Sequence, residues 1–124
     1  MPVRRIVANK TALDALDTTA MTGYLIMRTA PDELMVLPPG EPLVSGDAHA
    51  IQIVDTNWFG AWLEEEQMLT FLSQQCEWAP PSDRPAFAQG AVAHVPVKLW
   101  FELGKILILT AGPYLADLQE RMAH

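Results

Sequence analysis

The sequence predicts an α+β fold, a mostly antiparallel sheet of hairpins with helices packed on one face. Three observations predict it. Short runs of aliphatic, β-branched and aromatic residues come in pairs with turn residues between them. Two later stretches, Glu64–Cys76 and the one after Gly112, change to the period of an amphipathic helix. Two proline-rich stretches, 38–42 and 80–85, separate the blocks, because proline neither donates to a ladder nor continues a helix.

At 124 residues, half of them apolar, the chain is read as one domain spanning 1–124. A domain near this size buries roughly two-thirds of its unfolded surface. Cys76 is the only cysteine, so no internal disulfide forms, and a reducing cytoplasmic setting is expected. The first twenty residues lack the apolar core of a secretory signal. No apolar run approaches the roughly 20 residues that cross a bilayer, so no membrane association is expected. Eight basic residues stand against fifteen acidic ones, a formal charge of −7. Nucleic-acid binding needs a basic face, so nucleic acid is not an expected partner. The one basic pair, Arg4–Arg5, reads as part of a solvated tail.

Residues 1–20 read as a flexible or docking segment, with a short helix around Leu13 and Leu16 whose wet side carries Asp14 and Asp17. Tyr24–Thr29 and Leu34–Leu37 read as strands of a hairpin closed by Pro31-Asp32. Residues 38–47 are expected to be an exposed loop. Ala48–Asp55 and Trp58–Leu63 read as a second hairpin turning at Thr56-Asn57. In Glu64–Cys76, residues Met68, Leu69, Leu72 and Cys76 share one helical face, and three glutamates sit at the helix start, where the macrodipole favours them. Ala91–Phe101 reads as one long strand bent near Pro96. Lys105–Thr110 returns as a strand covered on both faces. Gly112-Pro113 opens a last helix with Leu115, Leu118 and Met122 as its buried stripe.

No catalytic constellation stands out, and the chain is read as a non-enzyme. His49, His94 and His124 are far apart and lack the neighbours of a metal site. Cys76, on an apolar helix face beside Glu77, lacks the electropositive setting of a nucleophilic thiolate and reads as a small buried hydrophobe. Glu64, Glu65 and Glu66 are consecutive on a helix, so their carboxylates do not converge. There is no glycine-rich phosphate cradle. The four tryptophans are the surplus feature. Core packing is their default, but Trp58 and Trp62 share a strand face, and with Trp100 they are candidates to stack a flat ligand or anchor a partner.

The order of several short motifs carries a resemblance. They are Pro31-Asp32-Glu33 before an apolar strand, Val54-Asp55-Thr56, the helix ending near Cys76, Phe87-Ala88-Gln89-Gly90, Lys98-Leu99-Trp100-Phe101 and Ile106–Thr110. In that order they resemble the gamma subunit of heterotetrameric sarcosine oxidase and, more remotely, the glycine-cleavage T-protein (aminomethyltransferase) superfamily. The resemblance implies a ferredoxin-like unit, a link to folate-dependent one-carbon metabolism, and work as a subunit. Catalytic relatives carry an aspartate pair where this chain reads Val95-Pro96-Val97-Lys98-Leu99. The expected function is therefore a non-catalytic subunit that associates with itself or with a larger oxidoreductase subunit. The alternative is a folate- or pterin-like small-molecule binder, with tetrahydrofolate as ligand and no other cofactor. Trp58, Trp62, Phe87, Lys98 and Trp100 are the candidate ligand- or partner-binding residues, and no metal site is expected.

Overall fold

The computed structural model describes residues 1–18, 21–43 and 46–123. His124, one of the three histidines, lies outside the described residues. The chain divides into two compact units, Met1–Thr56 and Asn57–His124. Each has its own four-stranded antiparallel sheet, so the α+β class holds. Among the described residues no helix is long and apolar enough to cross a membrane.

The first unit runs β1 (Val3–Val7), α1 (Lys10–Asp14), β2 (Leu25–Ala30), β3 (Glu33–Leu37) and β4 (Ile51–Asp55). Its strand order is β2-β3-β1-β4. The expected first hairpin is present as β2–β3, with a register shift between Arg28 and Ala30. The N-terminal segment is not a tail. β1 is an inner strand, paired to β3 on one side and β4 on the other. Alternation explains why it was hard to see, since Val3, Arg5 and Val7 face one way and Arg4 and Ile6 the other. Ile6 packs with Leu13 of α1 and with Leu34 and Val36 of β3. Asn9 caps α1 by accepting from the Ala12 N–H at 2.8 Å.

Arg4 is likewise not a solvated charge, and Arg5 is ion-paired. Arg4 is only 9% exposed, and its guanidinium donates to the carbonyls of Pro39 (3.1 Å) and Gly40 (2.9 Å). Arg5 pairs with Glu33 at 3.0 Å. The loop after β3 is thereby pinned to β1. Gly40 has φ of +59°, and a Cβ there would lie 2.7 Å from the Tyr24 ring. Further along, the Gln52 side-chain amide donates to the Leu43 carbonyl and accepts from the Leu43 N–H at 3.0 Å, standing in for a strand neighbour.

The second unit runs β5 (Trp58–Glu64), α2 (Glu65–Gln75), β6 (Ala86–Val92), β7 (Val95–Glu102), β8 (Lys105–Ala111), a 3-10 turn (Gly112–Tyr114) and α3 (Leu115–Met122). Its strand order is β5-β8-β7-β6. The expected second hairpin does not form. β4 pairs with β1, and β5 pairs with β8 in the other sheet. The long strand expected over Ala91–Phe101 is two strands joined by a two-residue turn at Ala93–His94. Both turn residues have positive φ, 52° and 67°. Such turns favour Asn-Gly, and neither residue here signals one. The Ala93 N–H donates to the Gln75 carbonyl at 2.8 Å, which ties the turn to the end of α2.

The core of this unit lies between the sheet and its helices. Met68 and Leu72 of α2 and Leu118 of α3 pack on Val97, Leu99, Phe101, Ile106 and Ile108. β8 is buried on both faces as expected, with Ile106 to Thr110 at most 3% exposed. Of the three glutamates, Glu65 has a specific role. Its carboxylate accepts from the Gly104 N–H in the β7–β8 turn (2.6 Å) and from Arg84 (3.4 Å). Arg84 in turn lies 4.9 Å over the Phe101 ring.

Arg4→Met is expected to cost about 2 kcal/mol, because it removes two hydrogen bonds from a charged donor and leaves two carbonyls to find partners. Urea unfolding measures it, and a solvated tail would give no change. A second expectation concerns acid. Hydrogen bonds from Lys10 and then Arg28 hold Asp14 below the ordinary aspartate value of 3.8. Backbone N–H groups of Asn9 and His49 do the same for Asp47. Groups lowered in the folded state add stability above 3.8 and lose it as pH falls through their folded values. The urea midpoint should therefore drop below pH 3.8, and Asp47→Asn should flatten that acid limb.

Candidate functional site

The five residues singled out by sequence share one face of the second sheet. Register shows it. Trp62 of β5 is opposite Leu107 of β8, which is opposite Trp100 of β7, which is opposite Phe87 of β6. These four form a row across the sheet. In the next row Gly60, Leu109, Lys98 and Gln89 face one another in the same way. Trp58 follows one step further along β5, opposite Ala111. The residues of the helix-packed core point the other way.

Sharing a face does not bring all five together. Trp62 is 41% exposed and has the Lys105 ammonium 4.3 Å over its ring. Trp100 donates from its indole to Glu102 at 3.1 Å. Phe87 is half-buried at the far end of the row. Trp58 and Lys98 meet, with the Lys98 Nζ 5.5 Å from the Trp58 ring centroid. Gln89 accepts from that ammonium at 2.6 Å.

Trp58 and Lys98 lie at a cleft of about 390 Å³. Its cause is a break in the β7–β8 ladder. Pairing between these strands runs from Glu102↔Lys105 only as far as Lys98↔Leu109. Two residues before Lys98 stands Pro96. Val92 and Val95 close the tight turn, so Pro96 directs its ring nitrogen and carbonyl toward β8. The nitrogen carries no hydrogen, and the ladder cannot continue there. The Thr110 hydroxyl donates to the Pro96 carbonyl at 3.1 Å and bridges the parted strands. Beyond it β8 passes into the 3-10 turn, which brings Tyr114 to the rim. Pro96, Val97 and Ala111 complete the apolar walls.

A second cavity, of about 350 Å³, is lined by Cys76, Trp78, His94 and Arg121. Cys76 is half-buried, packs at the margin of the core, and directs its thiol to the Trp78 carbonyl at 3.2 Å. That agrees with a packing role. Trp78, which sequence reasoning left without a role, lies along β6. Its indole donates to the Ala91 carbonyl at 3.0 Å, on the side of β6 away from β7. A Cβ at Gly90 would come within 2.9 Å of the Trp78 Nε1. The glycine is what lets the indole lie that close. Among the described residues no group of three His, Cys, Asp or Glu side chains could hold a metal ion.

No protein-family model matches the chain, no curated protein matches its sequence, and no solved structure matches its fold.

Gly90→Ala is expected to displace the Trp78 ring and lower stability by about 1–2 kcal/mol. Denaturant unfolding measures the loss. Chemical-shift change at the Trp78 indole N–H shows that the ring moved, and an unchanged indole signal would contradict the contact.

Proposed function

We propose that this chain is a non-catalytic association module, acting as a subunit in the manner of the gamma subunit it resembles, and that β4 is its docking edge. The supporting observation is the exposure of β4. Ile51 is 56% exposed, Ile53 54% and Val54 45%. Val7, opposite Ile51 on β1, adds a fourth exposed aliphatic on the same face as Ile51 and Ile53. An apolar strand at a sheet edge invites a further strand from another chain.

Two of the other three edges carry guards. Trp78 covers β6. β5 is exposed along most of its length, with the Lys105 ammonium over the Trp62 ring. β2 carries Arg28 and a register shift, and the Arg28 guanidinium folds onto the carbonyls of Ala30 and Pro31. β4 has no basic residue, no proline and no shift in its pairing.

A second copy of the chain is the partner that the strand fits. Antiparallel pairing about Ile53 places Ile53 against Ile53 and Ile51 against Asp55. The two Asp55 carboxylates then stand about 14 Å apart, at 3.4 Å per residue. That exceeds the Debye length of about 10 Å at 0.1 M salt, so screening removes most of their repulsion. The resemblance offers a larger oxidoreductase subunit as the other partner, met by the same edge.

Light scattering after size-exclusion chromatography tests the reading. The native chain is expected at twice its mass of 13.7 kDa. Ile53→Lys is expected at the monomer mass with its fold unchanged. A native monomer at high micromolar concentration that also fails to bind a purified gamma-less sarcosine oxidase would overturn the proposal.

A further inference from the structure

The second cavity lies within the second unit and owes nothing to the β4 edge. We propose that it binds a free α-amino acid with an apolar side chain, held as its zwitterion. Charge is the first ground. Glu77 and Arg121 both line the cavity. Neither takes part in a hydrogen bond or ion pair among the described residues, and Arg121 does not reach Asp117, four positions earlier on α3. Two opposite charges therefore border one space without meeting. A ligand with one charge of each sign satisfies both. A lone anion leaves the carboxylate unmatched, and a lone cation leaves the guanidinium unmatched.

The end of α2 strengthens the negative pole. Its last turn holds no basic residue, so the partial charge at its C-terminus, about half a negative unit, has no cation of its own. The Gln75 carbonyl is taken by the Ala93 N–H at 2.8 Å, but the Gln74 carbonyl accepts no hydrogen bond among the described residues. An ammonium has three donors and needs several acceptors. The Glu77 carboxylate and this helix end offer them side by side in sequence. For the ligand's carboxylate, the planar guanidinium of Arg121 is a two-pronged partner, and His94 lines the same cavity.

Shape is the second ground. About 350 Å³ lies toward the small end of the range for small-molecule sites. Trp78, Ala91 and Ala93 give the ligand's side chain an apolar wall. The walls are tied to one another. The Ala93 N–H holds the β6–β7 turn to α2, the Cys76 thiol reaches the Trp78 carbonyl at 3.2 Å, and the Trp78 indole is fixed to the Ala91 carbonyl at 3.0 Å. The cavity is thus built before a ligand arrives, which lowers the cost of binding.

The test is isothermal titration of the full chain with L-phenylalanine, L-phenylalaninamide (ammonium only) and 3-phenylpropanoate (carboxylate only). Phenylalanine is expected to bind, and each single-charge analogue at least tenfold more weakly. Arg121→Met is expected to weaken phenylalanine at least tenfold and leave phenylalaninamide unchanged. Glu77→Gln is expected to weaken phenylalanine by a similar factor and leave phenylpropanoate unchanged. Both residues are exposed, so neither substitution disturbs the core. The Trp78 indole N–H signal should shift as phenylalanine is added, which locates the ligand. Equal affinity for the three probes, no heat from phenylalanine at millimolar concentration, an unmoved indole signal, or an Arg121→Met chain that binds phenylalanine like the native one overturns the proposal. Ile53→Lys should bind phenylalanine like the native chain, so the outcome is independent of the association reading.

Discussion

The second unit depends on one strand being buried on both faces. β8 pairs with β5 and β7, so its backbone groups are satisfied on both sides. Ile106 and Ile108 supply the layer under α2 and α3, while Leu107 and Leu109 fill the opposite face. Such a strand admits polar groups only where each finds a partner. Thr110 is the one polar residue of its buried run, and its hydroxyl reaches the Pro96 carbonyl. The same contact marks where the ladder ends and the cleft starts. The demand for a satisfied interior and the opening of the site are therefore one arrangement.

The first unit is organised the same way around β1, with a different device. Here the polar group in the interior is a guanidinium. Arg4 is nearly buried because the loop after β3 offers it two carbonyls. The loop is proline-rich and forms no ladder of its own, so its carbonyls need donors. Each side resolves the other, and the loop is held by a residue 35 positions earlier in the chain.

What could be read from sequence follows from this. α2, the β2–β3 hairpin and two-sided burial of β8 were legible, because each rests on local period or on a plain aliphatic run. β1 was not, because Arg4 and Arg5 look like solvated charge until the carbonyls of Pro39 and Gly40 are placed beside Arg4 and the Glu33 carboxylate beside Arg5. The β6–β7 turn was not, because Ala93 and His94 adopt left-handed backbone without being glycine or asparagine, held there by the Gln75 carbonyl. Pairing of neighbouring strands misled as well. Thr56-Asn57 is a good turn signal, yet β4 and β5 go to different sheets. For the candidate site, sequence selected five residues that share one face, since period 2 is reliable within a strand. It could not show that Trp58 and Lys98 meet beside a cleft. That depends on the Pro96 interruption, which read as a bend.

Residues 51–64 supply the edge strand of both sheets in one continuous stretch. Within it, Ile51–Val54 and Trp58–Leu63 are free of proline and of charge, with strong β preference. Segments of this kind are the ones that stack into cross-β fibrils when a chain is partly unfolded. The carboxylates are placed where they interrupt such growth. Asp55 divides the two segments, and Glu64, Glu65 and Glu66 close the second. Acidic residues at these positions act as gatekeepers. The stretch that exposes the aliphatic side chains of β4 thus carries its own guard against indiscriminate self-assembly, and neutralising Asp55 removes the break between its two halves.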